Sequence, residues 1–360
     1  MSVNQNVTSL LDLWRIKSAQ KNRPLQGSLE LTYRCNERCT HCYIEKFWDD
    51  PKKTLTLEQW KHCLQELKSA GVMYLILMGG EAMLNPYFWE IAEEASRLGF
   101  HLSMITNGQK TTSLSVAERL KAVGFSVITV SLYSLDPAIH DKMTAVKGSH
   151  AKTIAAVEYY RKVGLNVGIN CLLTSANIEG YFELAEWCIE RQIEIKADPH
   201  VTPKFNKDLA PTKLRATPEQ LKFYFETLVD KWPAGVPKAV NESSADFVCN
   251  AGKGKCAVTP YGELLTCIEV RESLGLLTEK PFEELWNGPV AEKWRNIKVK
   301  DIKNRNTDGV ESFCDHCPGM ALHEDNDPNL ISSYSKTVGR IKRDVALQQS
   351  LKKLNEISSR

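Results

Sequence analysis

Apolar positions change rhythm along this chain. From residue 28 to about residue 200, short apolar runs alternate with stretches whose apolar residues recur every three or four positions. Ser28–Tyr33 (SLELTY), Met73–Met78 (MYLILM), His101–Ile105, Ser126–Leu132, Asn166–Leu173 and Gln192–Asp198 read as strands. MYLILM is apolar throughout, as a strand covered on both faces of a parallel sheet must be. Between these strands, Thr56–Ala70, Pro86–Leu98 and stretches near 113–123, 149–163 and 178–191 read as helices. In the first helix Leu57, Trp60, Leu64 and Leu67 share one face, Thr56 and Gln59 fit a capping box, and Gly71 fits the stop. Strand–helix units in this order predict an α/β fold with a parallel sheet. A curved partial barrel and an open doubly wound sheet both satisfy the pattern.

The rhythm breaks near Val201–Thr217, which is polar and contains prolines, and reads as a linker. A helix follows near 218–232, then a second break at Pro233–Glu242. The region from 246 to 330 has little periodicity and several turn signals, such as Pro260-Tyr261-Gly262. A segment with so small a core is expected to need metal to hold it. Lys336–Ile357 reads as a basic amphipathic helix packed on the body. The predicted organisation is an N-terminal extension (1–26), a barrel (27–210), a linker with a helix (211–245), a Cys-rich domain (246–330) and a C-terminal helix (331–360).

Composition narrows the function classes. The 360 residues carry 46 basic and 44 acidic side chains, a formal net charge of +2, which gives no electrostatic reason to expect nucleic acid as a partner. The start lacks the charged-then-apolar pattern of a signal peptide, and the longest apolar run, Val72–Met78, is too short to span a bilayer. A cytoplasmic protein without a membrane partner is expected. The eleven cysteines are then not a disulfide framework. Three lie at 35, 39 and 42, and five at 249, 256, 267, 314 and 317. Cys63, Cys171 and Cys188 are isolated and read as packed core thiols. The two groups suggest two metal sites.

The first group, Cys35-Asn-Glu-Arg-Cys39-Thr-His-Cys42, directly follows the first predicted strand. Ligands of βα folds bind at the carboxyl ends of strands. Three thiolates on one short loop can hold three irons of a [4Fe-4S] cubane and leave the fourth open. The alternative is a zinc site with His41 as fourth ligand, but a histidine adjacent to Cys42 hardly reaches the same tetrahedral ion.

These residues match the CxxxCxΦC signature, and the chain resembles the radical S-adenosylmethionine superfamily, with His41 at the aromatic position. The resemblance implies a partial (β/α)6 barrel. It implies a [4Fe-4S] cluster on Cys35, Cys39 and Cys42 that cleaves S-adenosylmethionine reductively, giving a 5′-deoxyadenosyl radical that takes hydrogen from substrate. An electron donor such as flavodoxin or ferredoxin is implied too. Gly79-Gly80-Glu81 after the second strand matches the family's GGE element, which binds the methionine amino group. Thr106-Asn107-Gly108 matches its TNG element after the third strand. Ser131 sits where the family often has a ribose contact, Asn170 is a similar candidate on the fifth strand, and His41 is implied to lie near adenine.

The second group resembles the SPASM and twitch extensions, which carry auxiliary Fe–S clusters. Gly262 and Cys267 match the GxxxxC element, with Cys249 before it, and Cys314-Asp-His-Cys317 matches the next. The following two positions of the SPASM pattern hold His323 and Asp327 instead of cysteine. The simplest reading is one auxiliary [4Fe-4S] cluster on Cys249, Cys267, Cys314 and Cys317. A rival set has Cys256 join Cys249 and Cys267. His323 and Asp327 are unusual ligand candidates for a second cluster. Outside a ligand role, Cys256 is either a hydrogen-atom donor or a packed thiol. The first 26 residues are too few for a separate winged-helix leader-binding domain. Three functions remain: a maturase of a ribosomally made peptide, a small-molecule dehydrogenase or cofactor-biosynthesis enzyme, and a non-catalytic Fe–S or zinc scaffold.

Overall fold

The computed structural model describes residues 10–51, 53–232, 248–304 and 310–358. The predicted break at Pro233–Glu242 lies outside them. A helix, α1 (Leu10–Gln20), leads into β1 (Gln26–Glu30). The repeated units follow as α2 (Leu57–Ser69), β2 (Tyr74–Met78), α3 (Phe88–Arg97), β3 (His101–Thr106), α4 (Leu114–Val123) and β4 (Phe125–Ser131). Then come α5 (Pro137–Thr144), α6 (Ser149–Lys162), β5 (Asn166–Leu172), α7 (Tyr181–Glu190) and β6 (Glu194–Asp198). Every predicted strand and helix of this region forms. The short α5, with Asp136 as N-cap and Pro137 opening the helix, has too few residues to show a period.

Strands β1 to β6 pair in chain order and every pair is parallel. An order without reversal has no doubly wound switch point, and right-handed crossovers then place all the helices on one side. The sheet curves into a partial barrel, which settles the choice left open by the pattern. Leu75, Leu77, Leu102, Met104, Ile128, Val130 and Ile169 face the helices and are buried with Trp60, Leu64, Leu67, Ile91, Leu120 and Val157. The alternate strand residues face the concave side, where Ser103, Thr129, Ser131, Asn170 and Lys196 leave it polar.

The Cys-rich region departs from expectation. After α8 (Pro218–Lys231) it supplies β7 (Lys255–Val258), β8 (Glu263–Leu265) and β9 (Gly275–Leu276). β7 pairs in parallel with β1, in register Gly27 with Cys256, so one nine-stranded sheet runs through the protein. Val258, Leu264, Leu277, Phe282 and Trp286 belong to the same core as the barrel. The region therefore rests on the barrel's apolar core rather than on metal alone. The chain ends through α9 (Phe282–Trp286), α10 (Pro289–Arg295), α11 (Pro318–Asp325) and α12 (Ser333–Ser358). Among the described residues no helix is long and apolar enough to cross a membrane.

Candidate active site

The loop between β1 and α2 carries Cys35, Cys39 and Cys42 at the carboxyl end of the barrel. It is irregular but tied down on several sides. The N–H groups of Arg38 and Thr40 donate to the carbonyls of Thr144 and Met143 at 3.0 and 2.9 Å. Phe205 N–H donates to Tyr43 O at 2.9 Å, and Leu55 N–H to Pro260 O at 3.1 Å. Asp49 accepts from Tyr33 N–H at 2.6 Å and from the Thr32 hydroxyl.

Gly79 and Gly80 are required by contact with this loop. A Cβ on Gly79 would sit 2.3 Å from Thr32 O, and one on Gly80 2.3 Å from Arg34 O. The close approach allows Gly80 N–H to reach Thr32 O at 2.7 Å and Glu81 N–H to reach Arg34 O at 2.8 Å. Glu81 itself is 1 % exposed and turns behind the cavity wall. Its carboxylate accepts from the Thr106 hydroxyl at 2.9 Å and from Asn107 N–H at 3.0 Å. Burial pushes its pKa up to about 7 against those hydrogen bonds. Glu81 is therefore placed to hold Thr106 and Asn107, while the glycines line the cavity. Asn107 then donates from Nδ2 to Asn36 Oδ1 at 2.8 Å, which links the third strand to the cysteine loop.

These residues enclose a cavity of about 510 Å³. Cys35, Cys39, Cys42, His41, Gly79, Gly80, Thr106, Asn107, Ser131 and Asn170 all line it, so of the barrel motif residues singled out from the sequence only Glu81 and Gly108 lie outside its lining. His41 packs edge-on against Tyr133, ring centroids 4.6 Å apart. Burial lowers its pKa to about 4, which keeps the imidazole neutral. Ser131 lies within hydrogen-bonding reach of the Tyr133 side chain. The reading by motif missed Glu37, Tyr43, Tyr133, Lys196, Asp198, His200, Ile268 and Glu269, which line the same cavity. Ile268 and Glu269 follow Cys267, so the cysteine-rich region closes this cavity from the far side.

Several cysteines accept backbone N–H groups, while Cys39 donates to Glu37 Oε2 at 3.3 Å. Glu37 N–H donates to Cys35 Sγ at 3.4 Å, Ala251 N–H to Cys249 Sγ at 3.4 Å and Met320 N–H to Cys317 Sγ at 3.5 Å. Cys42 and Cys267 take N–H donation from Ile44 and Glu269. Sulfur that accepts backbone N–H groups is arranged for a thiolate or an iron-bound sulfur. By contrast, Cys171 donates to Tyr133 O at 3.7 Å and Cys256 to Gln26 O at 3.8 Å. Cys256 lies on β7 within the apolar core, 2 % exposed, away from the cavity. That position is one for a packed thiol.

Cys249, Cys267 and Cys317 lie within electrostatic range of one another. Burial pushes Cys267 up to about 11 and Cys317 up to about 12, as it pushes Cys42 to about 11 and Cys35 to about 12. Thiols so placed give up their protons only to a bound cation. Cys314, three residues before Cys317, donates instead to Val310 O at 3.4 Å within a small apolar cluster with Ile302 and Ile331. His323 binds Glu269 O through Nε2 at 3.1 Å. Asp327 is taken by Lys303 and by Asn329 N–H at 2.9 Å, so it is not gathered with the thiols. Among the described residues no three His, Cys, Asp or Glu side chains converge as one metal ion would require. The wider spacing of thiols along each loop suits a cluster better than single zinc ions.

A buried ion pair joins the two cysteine regions. Arg271 donates from Nη1 and Nη2 to Glu30 at 3.0 Å and from Nη2 to Tyr33 Oη at 2.5 Å. Its guanidinium lies 3.9 Å from the Phe205 ring centroid. Glu30 is 1 % exposed.

A partial barrel with a three-thiol loop after its first strand, facing a cavity closed by a second thiol region, defines an iron–sulfur enzyme that handles a small cofactor. Comparison with known proteins gives the family. Residues 29–188 match the radical SAM superfamily and residues 249–318 the iron–sulfur cluster-binding SPASM domain. Together these matches span more than half of the chain, which belongs to the radical SAM superfamily and carries a SPASM domain; it is an enzyme with [4Fe-4S] clusters, an auxiliary one among them.

It is 27% identical over 320 residues to the AdoMet-dependent heme synthase of Methanosarcina barkeri, covering 78% of this chain and 86% of that one. It is 26% identical over 306 residues to the subtilosin biosynthesis protein AlbA of Bacillus subtilis, covering 83% of this chain and 67% of AlbA. In fold it resembles Streptococcus suis SuiB bound to its precursor peptide SuiA, with a TM-score of 0.69, 20% identity, and coverage of 92% of this chain and 83% of SuiB.

Proposed function

We propose that this enzyme uses the Cys35/Cys39/Cys42 cluster to generate a radical that modifies a ribosomally made peptide in the cavity between the two cysteine regions. One observation carries the reading: Cys35, Cys39 and Cys42 on one wall and Ile268–Glu269 on the other line a single cavity. When bound, the loop cluster supplies the electron that cleaves S-adenosylmethionine to methionine and a 5′-deoxyadenosyl radical. The chain's own residues do the rest. Gly79, Gly80, Thr106 and Asn107 offer a narrow wall to the methionine end of the cofactor. Ser131, Asn170 and the neutral His41 face the nucleoside end. Tyr133, Tyr43 and Phe47 keep water from the reacting atoms.

The auxiliary cluster is assigned to Cys249, Cys267, Cys317 and Cys314. Cys314 joins this set by its two-residue spacing from Cys317. AlbA is a bacteriocin biosynthesis protein, and SuiB is seen with a precursor peptide, which supports a peptide substrate. The heme synthase relative supports a small-molecule substrate instead. The near balance of basic and acidic side chains supports a partner other than nucleic acid. On this reading the enzyme works in the cytoplasm, without a membrane partner, and is reduced by a flavodoxin or ferredoxin.

Anaerobic reconstitution with iron counting tests the assignment. Joint replacement of Cys35, Cys39 and Cys42 by Ala abolishes 5′-deoxyadenosine formation and leaves about half of the iron. Cleavage that survives the replacement overturns the reading, and loss of all iron refutes two independent sites. Mass spectrometry of candidate peptides then identifies the modification.

A further inference from the structure

The end of the cavity remote from the cysteine loop has a charge pattern that the cofactor does not use. Asp198, at the carboxyl end of β6, and Glu269, from the cysteine-rich region, both line it. They lie within electrostatic range of each other. The Asp198 side chain is 67% exposed, so its carboxylate is open to the cavity. Arg271 and Lys342 act on Glu269 and Asp198 from a distance, and Lys196 lines the cavity, but each of the three is paired with another carboxylate. Arg271 is held by Glu30, Lys342 by Asp315, and Lys196 lies 3.6 Å from Glu194. Among the described residues the Glu269 carboxylate has no hydrogen-bond donor.

A third acceptor points the same way. His200 lines this end, and its side chain is nine-tenths buried. Its Nδ1 lies 2.9 Å from Asp198 Oδ1, which also accepts from His200 N–H at 2.8 Å. Asp198 accepts, so Nδ1 carries the proton and Nε2 is an acceptor. That Nε2 is buried and has no partner. A buried polar atom left without a partner costs free energy unless a ligand satisfies it. Glu269 without a donor, Asp198 held by His200 and the orphan imidazole nitrogen make this end of the cavity rich in acceptors. Its members are not gathered for a single metal ion, which leaves an organic cation with several N–H groups.

We propose that Asp198, Glu269 and His200 form a subsite for a lysine or arginine side chain of the substrate peptide. The carboxylates take its charge and Nε2 of His200 accepts one N–H. The proposal rests on the peptide reading above. A substrate carboxylate at this position would meet two like charges.

The test uses the reconstituted full chain with S-adenosylmethionine bound. The probes are four acetylated tripeptide amides with alanine at both ends and lysine, arginine, glutamine or glutamate at the centre. Calorimetric titration is expected to show the lysine and arginine probes binding about tenfold or more tighter than the glutamine probe, with the glutamate probe weakest. D198N and E269Q are each expected to remove most of that preference, and E269K to turn it toward glutamate. Thermal unfolding and iron content report whether each variant is folded and loaded. Because the four-probe comparison on the unaltered protein needs no variant, a variant that fails to fold leaves the test intact. Equal binding of the four probes, preference for glutamate, or no binding at all overturns the subsite. Formation of 5′-deoxyadenosine by the same preparation reports separately on the radical chemistry, so the two readings fail independently.

Discussion

Replacing Gly80 by Ala isolates the effect of a single methyl group on the radical-generating site. Gly80 is not among the glycines with positive φ, so the substitution adds no backbone strain of its own. The new Cβ would lie 2.3 Å from Arg34 O, 2.7 Å from Arg34 C and 2.7 Å from Tyr33 O, all backbone atoms. Relief requires the segment before Cys35 to move by roughly 1 Å to restore ordinary contact. Overpacking of this kind costs about 1–3 kcal/mol. The shift also strains the Gly80–Thr32 and Glu81–Arg34 hydrogen bonds, each worth about 1 kcal/mol. A total near 2–5 kcal/mol falls on the loop that must hold three irons. Gly71→Ala is the control: Gly71 has φ +89° and an added Cβ would meet nothing within 4 Å, so only backbone strain of roughly 1 kcal/mol applies. G80A is expected to lose the loop cluster and 5′-deoxyadenosine formation while it keeps the auxiliary iron; G71A keeps both. Iron counting, electron paramagnetic resonance of the reduced protein and chromatography of the nucleoside products read the outcome. Full iron and wild-type cleavage in G80A would refute the argument that this close approach sets the loop.

Other expectations follow from the same geometry. Arg271→Met leaves Glu30 buried without its partner and costs about 3–5 kcal/mol in urea unfolding of the iron-free protein. The double variant with Glu30→Leu recovers part of that loss, and identical loss in single and double variants would count against the pair. Cys267→Ala is expected to lose the auxiliary iron, whereas Cys256→Ala keeps the full complement; iron counts in the reverse order would undo the ligand assignment. His140 is fully buried, and its pKa is lowered from 6.5 to about 4, by burial first and by His150 next. Below 6.5 the unfolded chain takes up a proton that the folded chain refuses, so stability falls as pH drops from 6.5 toward 4. The full effect is about 3 kcal/mol, and His140→Gln should flatten the pH dependence of the urea midpoint over that window.

The features legible in the sequence share a physical trait: they are local. Cys35–Cys42, Gly79–Glu81 and Thr106–Gly108 each follow a strand directly, so the strand that was readable from apolar pattern also fixed where the motif would lie. The residues that escaped notice reach the cavity from a distance. Glu269 belongs to a turn more than two hundred residues from Cys35, and Asp198 with His200 follows a strand without a recognisable spacing. Tyr133 carries no pattern beyond its place after β4. A thiol near other thiols in sequence need not lie near them in space: the strand of Cys256 takes it to Gly27 in the apolar core, whereas Cys249 and Cys267 stay half-buried outside it. Glu81 was legible as a motif member, but its contact with Thr106 and Asn107 was not, since both depend on the register of β2 against β3.

The pairing of β7 with β1 also bears on how the enzyme is born. β7 is made more than two hundred residues after β1, so the sheet that joins them stays incomplete until most of these residues exist. Once that late strand docks, its backbone ladder and apolar side chains are anchored by the barrel, and the thiol turns on either side hang from a finished frame. Iron can then be delivered to a vessel already shaped for it, in contrast to small zinc domains, which fold only around their metal.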